Sequence, residues 1–460
     1  MRLRRPVSEP RNPASKSSVL ANPDEARGHI GLIVLGSILG GLVLGLLLVL
    51  VVFAGAREPV ITGSALISLA CGMLTLFALS GRRTDQPQQW ALTPAVGLAV
   101  VGIPLIALMP SDHVLGLLGW VWPPVLAIMI GWSLRGARRS LHNWSRRALL
   151  YPAFVALGLV AIGGAFETVA EATTSNSPSA GRTYLVDGHR LFLDCVGSGS
   201  PTAVLFNGLG ERTPSWAWVQ PAVARETRVC TFDRAAQGWS GKAPERQDGH
   251  QLAADLHRLL SAAHVPGPYV LAGHSVGGTY ALVYAMDFPK ETAGVALIDS
   301  ASPDQFDLPA YPGFYSMWRR VSALLPSVAR AGVARLTSGL SFGGLPADAR
   351  RAARAFSSSP RELRADRDEF AELPTVFDQA KALTTLGRKP LFVLTADLGQ
   401  QTGWFALQNK LATLSSNSLH QRTNGATHAA LLEDQSTSTA TSRAIEDVVQ
   451  AVRSGAAIAR

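Results

Sequence analysis

Residues 271–278 read LAGHSVGG. Inside them, Gly273-His274-Ser275-Val276-Gly277 is a G-x-S-x-G pattern, which can lift a serine onto a tight turn between a strand and a helix. The chain holds a second copy, Gly339-Leu340-Ser341-Phe342-Gly343. Context separates the two. Ser275 is preceded by the apolar strand-like run PYVLAG (268–273) and followed by VGGTYALVYAMDF, which has a helical pattern. A serine raised there exposes its hydroxyl, and the N-terminus of the following helix favours negative charge beside it. Ser341 follows GVARLTSGL, with no buried strand ahead of it and Pro346 close behind, and reads as a turn in a helical insertion.

The same alternation extends outward from Ser275. TYLVDG and HRLFLDCVG read as two strands joined at Asp187-Gly188. TAVLFNG, TRVCTFD, GVALID and PLFVLTAD are short apolar strands, and LHQRTNGATH ends another before His428. Helical patterns intervene at GHQLAADLHRLLSAA and FALQNKLATLS. Apolar strands alternating with amphipathic helices predict an α/β fold with a mostly parallel sheet covered on both faces. Asn207-Gly208, Asp233, Ser275, Asp299 and Asp397 each follow a strand. That is the carboxyl edge of the sheet, where such folds bind ligands.

A serine hydroxyl needs a base. C-terminal to Ser275 the histidines are His420, inside a strand-like stretch, and His428, in the turn NGATHAALLED. His428 is the expected base, and His274 is expected to pack behind the turn. Asp299 or Asp397 supplies the acid that orients the imidazole. An oxyanion needs two backbone donors. These are the N–H of Val276, just after the serine, and the N–H of Leu209, in the glycine-rich turn after AVLFNG.

Together these residues resemble the α/β-hydrolase superfamily, from Arg182 onward. The resemblance rests on the GHSVGG elbow, FNGLG in place of the usual His-Gly, DRAAQGWS at 233–240, and GATH around His428. It implies an α/β-hydrolase fold and a serine hydrolase with Ser275 as nucleophile; no cofactor is expected, and three cysteines at these spacings make no metal pattern. It is weakly specific for substrate, since esterases, lipases and peptidases share the fold. Serine at the elbow disfavours the relatives that use aspartate there. In many members the acid lies a few residues past the seventh strand, near Gly399 here, so Asp397 stands two residues early. Relatives with the acid after the sixth strand match Asp299, which is preferred with Asp397 as alternative. Ala236 stands where a glycine is usual. The stretch at about 303–388 falls where relatives carry a helical lid, and PGFYSMWRRVSALL within it could line an acyl pocket or simply pack helix on helix. In this fold the strands of Cys195 and Cys230 are usually neighbours, so a disulfide between them is a candidate.

The first third of the chain is different in kind. The protein has 460 residues, 16% of them charged, and a net charge of +9. Residues 29–170 are nearly free of acids and contain five apolar spans: Ile30–Ala54, Val60–Ser80, Ala91–Met109, Val114–Leu134 and Leu149–Thr168. About 20 apolar residues suffice to cross a bilayer. Basic residues cluster before span one, after span two (Arg82, Arg83) and after span four (Arg135, Arg138, Arg139, Arg146, Arg147). Positive loops stay cytoplasmic. This predicts a basic cytoplasmic tail (1–29), a five-helix transmembrane region (30–170), a linker (171–181) and an extracytoplasmic hydrolase domain (182–460). The charge lies beside the apolar runs, which argues against nucleic acid as a partner. Arginine outnumbering lysine, with much alanine and glycine, hints at a bacterial genome. The expected function is a membrane-anchored serine hydrolase cleaving an ester, small or lipid, with peptide cleavage and acyl transfer still open. The alternative is a non-catalytic binding domain of a membrane receptor or scaffold.

Overall fold

The computed structural model describes residues 29–173, 178, 180–242 and 247–458. The expected basic tail, apart from His29, and residues 174–177 and 179 of the expected linker lie outside the described residues.

An all-helical region comes first: α1 (Ile30–Leu47), α2 (Glu58–Arg83), α3 (Leu92–Leu108), α4 (Asp112–Leu118), α5 (Trp122–Ser140), α6 (Trp144–Ala148) and α7 (Tyr151–Thr173). Four stretches among the described residues are long and apolar enough to cross a membrane: Ile30–Val52, Glu58–Arg83, Gln89–Leu108 and Trp144–Thr173. The expected span Val114–Leu134 is instead the pair α4 and α5, bent by 45° at the break between them, and makes a fifth span if the pair is one. Pro123 and Pro124 explain the break. Proline lacks an N–H and clashes with the preceding turn, so it fits the first turn of a helix and not its interior, and α5 restarts there. The expected last span ends at Thr168, but α7 runs on to Thr173. Residues 169–173 (VAEAT) contain alanine and glutamate and no breaker, so the helix continues. Small residues let α1 and α2 pack closely: a Cβ on Gly72 would stand 2.8 Å from the Ser37 carbonyl oxygen.

The second part is an α/β-hydrolase fold. Its strands are β1 (Arg182–Val186), β2 (His189–Val196), β3 (Thr202–Phe206), β4 (Val229–Asp233), β5 (Tyr269–His274), β6 (Thr292–Ile298), β7 (Leu391–Ala396) and β8 (Ser418–Thr423). They form one eight-stranded sheet in the order β1-β2-β4-β3-β5-β6-β7-β8. The pairs β1–β2 and β2–β4 are antiparallel and the rest parallel. Cys195 and Cys230 face each other in the β2–β4 register and are joined as a disulfide.

Alternation along each strand divides the core into two layers. In β3, Val204 and Phe206 point to one face, with α9 (Gly249–Ala262) and α10 (Val276–Asp287). Ala203 and Leu205 point to the other, with α8 (Val219–Val223) and α18 (Ser438–Ser454). Every residue of β3, β5 and β7 is buried, which is why these strands read as unbroken apolar runs. Between β6 and β7 lies the helical lid: α11 (Tyr311–Ser322), α12 (Leu325–Arg330), α13 (Val333–Ser338), α14 (Ala347–Ser358) and α15 (Pro360–Lys381). Two further helices, α16 (Trp404–Ala412) and α17 (Ala430–Glu433), flank β8. In the lid, Tyr311 and Tyr315 join Phe306, Phe370 and Phe377 in an aromatic cluster, while Phe314 and Met317 stay exposed. Ser341 lies in the connection between α13 and α14, with no strand before it.

Candidate active site

Ser275 sits between β5 and α10 with φ 56° and ψ −130°. A non-glycine residue with positive φ is uncommon and carries strain of about 1–3 kcal/mol. The surroundings hold it there: its N–H donates to the Ile298 carbonyl at 3.1 Å, and its own carbonyl accepts from Ala301 N–H at 2.9 Å. The flanking glycines are steric requirements. A Cβ on Gly277 would stand 2.2 Å from the Phe206 carbonyl oxygen, and one on Gly273 would stand 2.4 Å from the Gly277 carbonyl. The motif thus brings the start of α10 hard against the end of β3.

His428 follows β8 in the turn before α17, with its side chain 45% exposed. Its Nδ1 lies 2.6 Å from Asp299 Oδ2. A carboxylate only accepts, so Nδ1 carries the proton, and in the neutral ring Nε2 is then the nitrogen with the lone pair. Asp299 directly follows β6 and is fully buried. Its Oδ1 also accepts from Trp404 Nε1 at 2.8 Å, and its Oδ2 from Gln400 Nε2 at 3.0 Å. Burial pushes the Asp299 carboxyl up, but the donors His428, Trp404 and Gln400 outweigh it and hold the group below its ordinary value. Asp397 has no hydrogen bond to His428 among the described residues, and its Oδ1 is buried without a partner. Between the two candidate acids, the structure brings Asp299 to His428.

The loop after β3 lies against the serine: a Cβ on Gly208 would stand 3.0 Å from Ser275 Cβ. Leu209 follows Gly208 in that loop, and Val276 opens α10, where first-turn amides have no helical acceptor. The loop is pinned from below. Arg234 donates to the carbonyls of Asn207 at 2.5 Å and Gly208 at 2.9 Å, and it pairs with Glu369 at 2.7 Å. Arg212 pairs with Glu362 at 2.7 Å and Asp366 at 2.6 Å. Glu362, Asp366 and Glu369 share one face of α15, so the lid grips the loop through two arginines. Ala236, where a glycine was noted as usual, takes a positive φ of 69°. A cavity of about 780 Å³ is lined by Arg234 with Gln237, Tyr280, Glu369, Arg57 and Arg364; Ser275 and His428 do not line it.

Sequence reasoning put His274 behind the turn and missed its partner. His274 Nδ1 is 2.6 Å from Glu211 Oε1, and its Nε2 is 3.1 Å from the His428 carbonyl oxygen. Both partners are acceptors only, so both ring nitrogens carry protons and the ring is an imidazolium. Glu211 also accepts from Gly208 N–H at 2.6 Å. The pair therefore ties the elbow, the β3 loop and the His428 turn together. Burial works against both charges. For His274 the carboxylates of Glu211 and Asp299 outweigh it and raise the group above 6.5; for Glu211 the His274 charge and hydrogen bond outweigh it and lower the group below 4.5. Stability from His274 is full below pH 6.5 and is lost as pH rises through its folded value. Stability from Glu211 is present above pH 4.5 and is lost as pH falls through its folded value. Glu211→Gln is expected to cost about 1.5–3 kcal/mol, the range for hydrogen bonds to charged groups. The deficit against wild type is greatest between pH 4.5 and 6.5. Unfolding midpoints of both proteins across pH check it; a deficit independent of pH would count against the charged pair.

A family model described as alpha/beta hydrolase fold matches residues 201–435, just over half of the 460 residues. The Bacillus subtilis (strain 168) protein YqjL is 30% identical over 129 residues, covering 27% of this chain and 49% of YqjL. The dihydrolipoyllysine-residue acetyltransferase component of the acetoin cleaving system of Pseudomonas putida is 36% identical over 105 residues, covering 23% of this chain and 28% of that protein. The chain thus spans less than half the length of these curated relatives. The structure of haloalkane dehalogenase DbeA from Bradyrhizobium elkani USDA94 superposes with a TM-score of 0.51 at 17% identity, covering 60% of this chain and 99% of that one. At that identity the likeness is one of fold.

Proposed function

The chain belongs to the alpha/beta hydrolase fold family, and we propose that it is a membrane-anchored serine hydrolase that cleaves an ester through an acyl-enzyme on Ser275. The observation that carries this reading is the 2.6 Å contact between His428 Nδ1 and Asp299 Oδ2, tied to the strained elbow of Ser275 through His274 Nε2, 3.1 Å from the His428 carbonyl oxygen. The Asp299 carboxylate fixes the imidazole tautomer with Nε2 free to accept a proton.

In the proposed reaction His428 Nε2 takes the Ser275 hydroxyl proton as Oγ attacks the ester carbonyl carbon. The Leu209 and Val276 N–H groups hold the oxygen that becomes negative. His428 then gives its proton to the departing alkoxide, leaving Ser275 acylated. Water enters, loses a proton to the same nitrogen and releases the acid, which restores the serine. Peptide cleavage or acyl transfer would pass through the same intermediate, so the proposal commits to an ester as acyl donor and water as acceptor.

The apolar helices support anchoring. The clustering of arginines on one side of the apolar helices, with the bent α4–α5 pair taken as a fifth span, supports an extracytoplasmic hydrolase domain, and the Cys195–Cys230 disulfide suits an oxidising compartment. The test is pre-steady-state hydrolysis of para-nitrophenyl butyrate by the full chain. The reading expects a burst of nitrophenol equal to the enzyme present, followed by slower turnover. Hydrolysis without a burst at saturating ester, or none, counts against it.

A further inference from the structure

The lid does more than cover the sheet: it reaches down beside the apolar helices. A Cβ on Gly163, in α7, would stand 2.1 Å from the Ala331 carbonyl oxygen, and one on Gly332 would stand 2.5 Å from the Gly163 carbonyl oxygen. No side chain separates the two backbones. One turn along α7, the buried Glu167 takes a two-pronged contact from Arg335 of α13, at 2.7 and 2.8 Å. At a second apolar helix, Thr62 Oγ1 of α2 is 2.8 Å from Ser327 Oγ of α12. The buried Glu58 and the half-buried Asp112 receive Arg330 and Arg364.

These contacts fix a depth. Gly163 lies roughly 7 Å along the helix axis before Thr168, where the apolar run ends. A peripheral helix sinks about 5–10 Å into the interface between headgroups and chains. The Ala331–Gly332 connection therefore sits beside a part of α7 that lies within the apolar span, and α13 rises from it to Glu167, at the end of that span. What α13 and the turn after it show outward is apolar. Val333 and Leu336 of α13 are 43% and 76% exposed at three-residue spacing, and Leu340, in the turn that follows the helix, is 91% exposed. The neighbouring outward face of α7 carries exposed Leu159, Ile162 and Phe166. The one cation of α13, Arg335, is matched by Glu167, which is how charge is tolerated at such depth.

We propose that this face of the lid is seated in the lipid bilayer, in the leaflet on the hydrolase side, and that the ester substrate is drawn from that leaflet. The partner is thus a lipid surface and the substrate class a long-chain ester. The inference rests on the anchoring and hydrolase readings above. It also assigns a place to the second G-x-S-x-G copy. Leu340 and Ser341 lead from α13 to Gly344, whose backbone packs on Glu433 and Asp434 and accepts from Trp218 Nε1 at 2.9 Å. Those two acidic residues close α17, the helix that follows His428. The connection therefore spans from the bilayer to the rim of the catalytic turn.

The test uses the full chain in phosphatidylcholine vesicles, with the free Cys71 replaced by alanine. Nitroxide labels are placed singly through Leu336→Cys and Leu340→Cys. Leu42→Cys in α1 serves as a control for the spans and Leu185→Cys in β1 as a control for water. The proposal expects labels at 336 and 340 to relax with molecular oxygen rather than a water-soluble nickel complex, as at 42 and opposite to 185. Nickel access at 336 and 340 with oxygen access at 42 overturns the lid's seat alone; shielding from both, as in a contact between two copies, overturns it too. Nickel access at 42 overturns the anchoring on which it rests. For the substrate, Leu336→Asp with Leu340→Asp should lower turnover of para-nitrophenyl palmitate in vesicles at least tenfold and leave the soluble acetate ester within twofold. An equal effect on both esters, or acetate turnover without palmitate turnover in the wild type, overturns the lipid substrate. Turnover of neither overturns the hydrolase reading instead.

Discussion

Ser275→Ala is expected to lower kcat for ester hydrolysis by roughly a million-fold, the scale at which removing a serine nucleophile disables a triad. The loss is chemical, not structural. Ser275 is half-buried, its backbone alone makes the contacts to Ile298 and Ala301, and alanine meets the same positive-φ strain. The unfolding midpoint should therefore move little. What activity persists should come from the Leu209 and Val276 amides, which still polarise a bound carbonyl. Ser341→Ala, at the second copy of the motif, should leave kcat unchanged, because that serine follows a helix rather than a strand and, among the described residues, has no hydrogen bond to a histidine. Steady-state kinetics on the three proteins decides this, and equal losses at Ser275 and Ser341 would contradict the assignment.

The second large effect separates the two strand-end aspartates. Asp299→Asn is expected to lower kcat by about ten-thousand-fold, the cost of leaving the base in the wrong tautomer. Asn has one carbonyl oxygen for the donors that now share two carboxylate oxygens: His428 Nδ1, Trp404 Nε1, Gln400 Nε2 and the Ala396 amide. Its NH2 must face at least one of them. If it faces His428, Nδ1 becomes the acceptor and the proton moves to Nε2, where the reaction needs a lone pair. Asp397→Asn should change kcat by no more than about threefold, since Asp397 does not touch His428. The pair of variants, each checked for folding, is read by kcat. A larger loss for Asp397→Asn would reassign the acid.

Much of this was legible in the sequence because local rules govern it. The GHSVGG elbow is fixed by glycines that have no room for a Cβ, and a strand before it and a helix after it are written in the apolar pattern. The choice between Asp299 and Asp397 was not legible. Both end apolar strands, and what distinguishes them is where Trp404, Gln400 and His428 converge, through contacts 101–129 residues apart in sequence. Glu211 was missed for a related reason. Nothing in FNGLGER says that the glutamate folds back onto Gly208 and reaches His274. The lid's grip on the β3 loop had a visible signal: Glu362, Asp366 and Glu369 fall on one helical face. Their partners Arg212 and Arg234 lie 135–154 residues away. In the helical region, length and polarity found the apolar stretches. The break between α4 and α5 was written in Pro123-Pro124, but a count of apolar residues passes over it.

The central claim is that Ser275 is the group that becomes acylated. A fluorophosphonate phosphonylates an activated serine and leaves an ordinary one alone, so the most direct measurement treats the full chain with it and maps the adduct by peptide mass. The claim predicts a single adduct on the peptide that contains Ser275, absent after Ser275→Ala. A folded chain with Ser275 unmodified, or with the adduct on Ser341, would contradict it.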